Sequence, residues 1–256
     1  MRVYSYNVNG VRAALGKGLA DWIRQASPDV LCLQETKAQP EQIDQKLFSD
    51  LGYRGYYFSA GKKGYSGVAV LCKREPLRVT YGMDIPEYDS EGRALRVDFG
   101  PLSVLCVYVP SGTSGEERQA FKMRFLERLT GYVADLRREC PNLLLCGDCN
   151  IAREPRDINH PERQVGVSGF LPEEREWFAR FLDGGMTDTF RVFCAEAERY
   201  SWWSYRGGAR SRNAGWRIDY LLAADPLLGH LTGAGICPEA AHSDHCPVFA
   251  EFDFNL

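Results

Sequence analysis

The sequence predicts a single layered α/β domain, and three observations carry that reading. Short β-branched or aromatic runs alternate with amphipathic helical stretches along the whole chain. No internal repeat, low-complexity tract or composition break divides it, so residues 1–256 read as one domain. At 256 residues the chain is long enough to bury a sizeable core.

The candidate strands are Arg2–Val8, Asp29–Gln34, Tyr65–Cys72, Ala94–Phe99, Leu102–Val109, Leu143–Cys146, Ile218–Ala223 and Pro247–Phe252, each bounded by Gly, Pro or Asp. Helices are expected between them. Lys17–Ala26 should end before Pro28, because a proline disfavours helix in the residue before it. Pro40–Leu51 carries Pro in its first turn and stops at Gly52. The longest helix should run from Gly115 to Glu139, opened by a capping box of Ser114 with Glu117 and ended by Pro141. Phe121, Phe125, Leu129, Val133 and Leu136 would share its apolar face. A further helix should start near Pro172, with Glu173 and Glu174 in its positive first turn, and stop before Gly184. Residues 152–169 and 205–215 read as long loops, which in a compact domain are usually functional or disordered.

Composition narrows the classes. With 45% hydrophobic and 25% charged residues the chain is neither collagen-like nor disordered. No apolar run approaches the roughly 18 residues of a membrane span, and no leader is visible, so a cytoplasmic protein without a membrane partner is expected. The nine cysteines fall largely in apolar runs and read as reduced core thiols. The Cys146-Gly147-Asp148-Cys149 string straddles a strand end, which argues against a redox or zinc motif. His160 and His230 read as surface residues. Lys and Arg number 31 against 34 Asp and Glu, a net charge of −3, which by itself weighs against a nucleic-acid partner.

Polar residues gather where strands run out: Asn7-Val8-Asn9-Gly10, Gln34-Glu35-Thr36-Lys37, Tyr108 through Gly112, Gly147-Asp148-Cys149-Asn150, Trp216 through Tyr220, and His242-Ser243-Asp244-His245. A single Asp beside a turn is ordinary; six such ends are a site. The chain has no strained Ser elbow for a nucleophile. Carboxylates and amides are hard oxygen ligands suited to Mg²⁺ or Mn²⁺. Glu35 near Asn7, Asn9 or Asp244 fits a metal, Asp148 or His245 could serve as base, and Asp219 or Asp244 could orient His245. The residues by themselves therefore point to metal-assisted hydrolysis of a phosphate ester.

NVNGVRA, LCLQETK, YSGVAV, EGRALRVDF, YVPSG, CGDCNIA, SGFLPEER, GWRIDY and SDHCPV follow one another in this order from Arg2 to Phe252. Together they resemble the exonuclease III branch of AP endonucleases, in the endonuclease/exonuclease/phosphatase superfamily. The resemblance implies a four-layered α/β sandwich, two mixed sheets face to face with helices outside. It implies a Mg²⁺-dependent monomer, with Mn²⁺ as substitute, that hydrolyses duplex DNA on the 5′ side of abasic sites and also trims 3′ ends. By position, Glu35 matches the principal metal ligand. Asn7 matches a residue orienting the catalytic Asp, and Asn9 a metal-shell position. Asp148 matches the group that activates water or protonates the leaving oxygen. Asn150, Tyr108 and His245 match contacts to the scissile phosphate, Asp219 the carboxylate partner of His245, and Asp244 a second metal position. Asn7, Asp148 and Asn150 are counted in the metal shell as well.

The resemblance also assigns the DNA side. Trp202, Trp216 and Ile218 match an apolar pocket for the flipped-out abasic sugar, and the small Ser168-Gly169 beside it leaves room for that sugar. Arg206 falls where the family inserts a side chain toward the minor groove, with Arg210 and Arg212 in the same basic loop. Arg12, Lys17, Tyr65, Ser66, Arg93 and Ser111 are expected near the DNA backbone, contacts that position rather than specify. Competing readings are a 3′-end-trimming paralogue, a phosphoesterase on inositol phosphates, lipids or RNA tails, and a catalytically silent DNA-binding paralogue.

Overall fold

The computed structural model describes residues 1–254. Twelve strands form two mixed six-stranded sheets. The first sheet contains β1 (Arg2–Asn7), β2 (Val30–Gln34), β3 (Arg54–Phe58), β4 (Val68–Cys72), β11 (Leu231–Ile236) and β12 (Val248–Phe252), in the order β11-β12-β1-β2-β4-β3. The second contains β5 (Arg78–Tyr81), β6 (Ala94–Asp98), β7 (Ser103–Tyr108), β8 (Leu143–Asp148), β9 (Met186–Asp188) and β10 (Asp219–Ala224), in the order β5-β6-β7-β8-β10-β9.

Both faces of the central strands are covered, and period-2 alternation sorts each residue to one of them. Val30, Cys32, Val68 and Val70 of the first sheet meet Val104, Cys106, Leu144, Cys146 and Leu221 of the second in an inner core. Leu105, Val107, Leu143 and Leu145 point the other way, against α4 (Pro86–Asp89), α5 (Glu116–Glu139) and α6 (Pro172–Asp183). Tyr4, Tyr6, Leu31 and Leu33 point out from the first sheet. They meet α1 (Val11–Gly16), α2 (Leu19–Ala26) and α3 (Gln45–Asp50). The result is the expected four-layered sandwich.

Several expectations need correction. Four strands escaped the sequence pattern, β3, β5, β9 and β11, and all four are sheet edges. The first, second and fourth are largely half-exposed, and β9 has only three residues. A strand buried on both faces reads as a continuous apolar run, whereas an edge strand does not. The helix expected at Pro40–Leu51 is broken into a 3₁₀ turn, Pro40–Gln42, and α3, because Asp44 caps α3 by accepting from the Leu47 N–H at 3.0 Å. The helix expected from Lys17 begins at Leu19. The capping box at Ser114 does not form. Gly115 takes the cap position with φ +117°, and no side chain caps α5.

The topology delivers the site. Parallel pairing of β1 with β2 sets Asn7 beside Gln34, and parallel pairing of β7 with β8 sets Tyr108 beside Asp148. Antiparallel β10 brings Asp219 opposite Asp148. Since β1 faces β8 across the inner core, the strand ends of both sheets meet along one seam. Gly147 is where the second sheet is tightest: a Cβ there would lie 1.9 Å from the Val107 carbonyl oxygen. Gly147→Ala should therefore cost about 1–3 kcal/mol, the usual penalty of overpacking. Urea denaturation checks this; an unchanged midpoint would contradict the close approach.

Candidate active site

Seven chain segments converge on a cleft of about 330 Å³ lined by Glu35, Tyr108, Ser111, Asp148, Asn150, Ser168, Trp202, Trp216, Ile218, Asp244 and His245. Asp148 is buried at its centre. Its Oδ2 accepts from the Asn7 amide at 2.9 Å and lies 4.0 Å from His245 Nε2. Its Oδ1 accepts from the Asn150 N–H at 2.8 Å. The Asn7 amide also reaches Glu35 Oε1 at 2.8 Å, so one side chain bridges two carboxylates. Asn150 in turn donates to the Val109 carbonyl at 2.9 Å.

His245 donates from Nδ1 to Asp219 Oδ2 at 2.9 Å. The Ser201 hydroxyl holds that same oxygen at 2.6 Å and accepts from the N–H groups of Ile218 and Asp219. Asp244 is fixed by Asn9 at 2.9 Å and by the Trp202 indole at 3.0 Å. Glu35, Asn9 and Asn150 all adopt left-handed backbone, with φ of +51°, +44° and +50°. That conformation costs roughly 1–2 kcal/mol for a residue bearing a Cβ, and such cost concentrates where function over-determines the backbone.

Electrostatics follow from burial among acids. Desolvation and then the charge of Asp219 push the Asp148 carboxyl up to about 7. Burial works against the His245 imidazolium, but Asp219, Asp148 and Asp244 outweigh it and push its pKa up to about 10. Burial also opposes ionisation of Glu35, yet Lys37 and Asn7 hold its carboxyl below the usual range. Asp244 is lowered despite burial, by His245, Asn9 and Trp202. The Tyr108 phenol is pushed up by burial and by the nearby Glu35 and Asp148 charges, so it stays a donor.

Glu35, Asp148 and His245 present ligand atoms within 4.8 Å of one another, a spacing that could hold a metal ion. One residue the sequence reading passed over belongs here. Lys37 pairs with Glu35 Oε2 at 2.7 Å and bonds Asn9 Oδ1. The LQETK string contained it, but only the left-handed turn at Glu35 brings its ammonium back onto the acid.

The expected DNA contacts divide. Arg12, Lys17, Arg206 and Arg212 are exposed. Tyr205, which the sequence reading did not single out, is 64% exposed beside Arg206, with Lys17 Nζ 5.5 Å from its ring. Arg93 is corrected. Its guanidinium is buried, bonded to Glu91, to the Tyr65 hydroxyl and to the Tyr108 carbonyl, and stacked 4.7 Å over the Tyr108 ring. Tyr65 is engaged in that same network, through Arg118 as well. Arg210 spends its donors on the carbonyls of Ser243, Pro238 and Ala240, beneath the Asp244–His245 turn. Arg217, which follows the basic loop in sequence, is buried between Asp157 and Asp188 at 2.7 Å each. Ser66 is buried with no partner for its hydroxyl among the described residues. Gly169 packs behind the cleft wall: with φ +97°, a Cβ there would meet Trp216 at 2.8 Å and the Asn150 carbonyl at 3.1 Å.

The pattern of the Endonuclease/Exonuclease/phosphatase family matches residues 4–245, and the chain belongs to that family. Within it, the chain is 42% identical to an exodeoxyribonuclease of Bacillus subtilis, over 97% of this chain and 98% of that one. Among solved structures it resembles a 3′ phosphatase from Neisseria bound to a product DNA hairpin, with TM-score 0.93, 29% identity, and 99% and 100% of the chains covered. It also resembles an AP endonuclease from Archaeoglobus fulgidus, with TM-score 0.91, 30% identity and the same coverage. The chain is accordingly a hydrolase of the exodeoxyribonuclease and AP endonuclease type.

His245 gives a pH test. Its folded pKa of about 10 lies above the ordinary histidine value of 6.5, so its contribution to stability is complete below pH 6.5 and is lost as pH rises toward 10. In NMR of the metal-free protein, the His245 ring should stay protonated on both nitrogens between pH 6 and 8.5. In Asp219→Asn the midpoint should fall, because the largest of the charges that raise it is gone. A wild-type midpoint near 6.5 would contradict the assignment.

Proposed function

We propose that this protein hydrolyses the phosphodiester on the 5′ side of abasic sites in duplex DNA, with Mg²⁺, as a step of base excision repair. The reaction leaves a 3′-hydroxyl and a 5′-deoxyribose phosphate. Removal of nucleotides, phosphates and blocking groups from 3′ ends is the accompanying activity. The observation that carries this reading is the apolar recess of Trp202, Trp216 and Ile218. It opens beside Asp148, Asn150 and His245 in one cleft, and Gly169, lacking a side chain, lets Trp216 and the Asn150 backbone approach behind it. A baseless sugar is the part of a duplex cheapest to extrude, because no base has to be unstacked.

The residues suit a hard divalent cation. Glu35 would hold it, with Asn7, Asp148, Asn150 and Asp244 around it and Mn²⁺ as a substitute. Asp219 Oδ1 is buried with no partner among the described residues, so negative charge in the cluster is not fully met by protein donors. When bound, Mg²⁺ neutralises charge on the phosphate and stabilises the leaving oxygen.

The chain's own groups supply the rest. Asp148, with a pKa of about 7, is matched to take a proton from water near neutral pH. Asn7 and Asn150 hold its two oxygens and so fix its direction. His245, kept charged by Asp219, and the Tyr108 phenol donate to the phosphate oxygens as charge develops. Exposed Arg12, Lys17, Arg206 and Arg212 grip the DNA backbone, with Arg206 closest to the base stack.

Folded protein should nick a duplex carrying one tetrahydrofuran abasic analogue, on its 5′ side, with Mg²⁺ and not with EDTA. Cleavage confined to 3′-phosphate or single-nucleotide removal would instead select the 3′-trimming reading, and no cleavage of either kind would sink both. Asp148→Asn should still bind the duplex in a gel shift but lose incision. Tyr108→Phe should lose about 10²–10³ in kcat, the usual cost of one transition-state donor.

A further inference from the structure

The apolar stripe of α5 contains a charge. Lys122 lies among Phe125, Leu126 and Leu129 and is fully buried, as is Glu174 in the first turn of α6. Their ion pair is 2.5 Å long. Lys122 Nζ also donates to the Asn150 carbonyl at 2.8 Å. The second carboxylate oxygen of Glu174 accepts from the N–H groups of Gly169 at 2.6 Å and Leu171 at 3.0 Å. Gln119 donates to Glu174 Oε1 at 3.0 Å and accepts from the Ser168 hydroxyl at 2.7 Å.

A buried ion pair is weak evidence for stability, because well-packed apolar side chains of similar volume often serve as well or better. It does fix directions, since charge-assisted bonds are short and strong. Here the directions end at two places in the cleft. One is the carbonyl of Asn150, whose N–H holds Asp148 Oδ1. The other is the N–H of Gly169, which stands against Trp216 in the wall of the recess. One unbroken chain of bonds, Gly169–Glu174–Lys122–Asn150–Asp148, therefore joins the recess to the catalytic carboxylate.

We propose that the Lys122–Glu174 pair is a positioning unit that sets the spacing between the abasic-sugar recess and Asp148, touching neither substrate nor metal. This rests on the recess reading given above. A displacement of about 1 Å at a reacting group can cost 10²-fold in rate. Lys122→Met keeps the length of the side chain and removes the charge.

Steady-state kinetics at 20 °C on two duplexes decide the matter, one with an internal tetrahydrofuran and one with a 3′-phosphate. For Lys122→Met, kcat on the abasic duplex should fall by at least about 30-fold with KM changed less than about threefold. Removal of the 3′-phosphate, which needs Asp148 but not the recess wall, should fall by about tenfold or less. Lys122→Arg, which keeps the charge, should recover part of the loss. A kcat within twofold of wild type on both duplexes, alongside a lowered Tm, would show a purely structural pair and overturn the proposal. Should Lys122→Met not fold, Gln119→Leu decides by itself: it loosens Glu174 and Ser168 from the half-buried rim and should lower abasic kcat severalfold, whereas unchanged kcat would overturn the proposal. If the wild type acts only on the 3′-phosphate, the recess reading fails, and a Lys122→Met kcat within twofold of wild type on that substrate overturns the positioning of Asp148, whereas a severalfold loss with KM unchanged supports it.

Discussion

Glu35, Asp148, Asp219 and Asp244 meet at the seam where the strand ends of two sheets come together, and like charges held that close repel. Two unit charges 4 Å apart interact with about 4 kcal/mol at the effective dielectric of a protein surface. Each acid is therefore surrounded by donors. Asn7 is shared between Glu35 and Asp148, Asn9 and Trp202 hold Asp244, and Ser201 with His245 holds Asp219. What those donors leave unmet shows in the Asp148 carboxyl at about 7 and the His245 imidazolium at about 10. The left-handed turns at Asn9, Glu35 and Asn150 exist to deliver these side chains to the seam.

The same constraint explains the charge of the whole chain. A net charge of −3 looks unsuited to a DNA-binding protein. Yet several acids belong to the seam cluster that, on the function proposed, binds a cation and a phosphate. Conversely, Arg93, Arg217 and Lys122 are buried counter-ions that hold elements together and add nothing to the surface field. On the function proposed, the basic residues that face DNA are therefore fewer than the count suggests and include the exposed Arg12, Lys17, Arg206 and Arg212. A modest salt dependence of binding follows, since each phosphate neutralised adds to the slope.

Legibility in the sequence follows burial. Central strands such as β2 and β7 read directly, because covering on both faces demands an unbroken apolar run. The edges β3, β5 and β11 did not, because half-exposure permits Gly, Thr and Arg, and β9, with three residues, is too short to read. Acids and amides at strand ends stood out against the apolar runs preceding them, and those residues do converge on one cleft. What no local pattern reveals is which arginine is free. Arg93 and Arg206 sit in similarly polar stretches, and only the fold shows that Glu91 and Tyr108 enclose the first while the second faces solvent. Lys37 and Lys122 were invisible for the same reason, since their roles depend on partners brought in by the turn at Glu35 and by α6.

If repulsion among the seam carboxylates shapes this site, a divalent cation must relieve it. A ligand that binds only the folded state stabilises by about 2.7 kcal/mol at a hundred times its Kd. For a chain of this size that corresponds to a rise in Tm of roughly 5–10 °C. The most direct measurement is thermal unfolding at pH 7 with and without Mg²⁺, for wild type and Glu35→Gln. The account predicts a clear Mg²⁺-dependent rise in the wild type that is lost in Glu35→Gln. Equal rises in both proteins, or none in the wild type at saturating Mg²⁺, would contradict it.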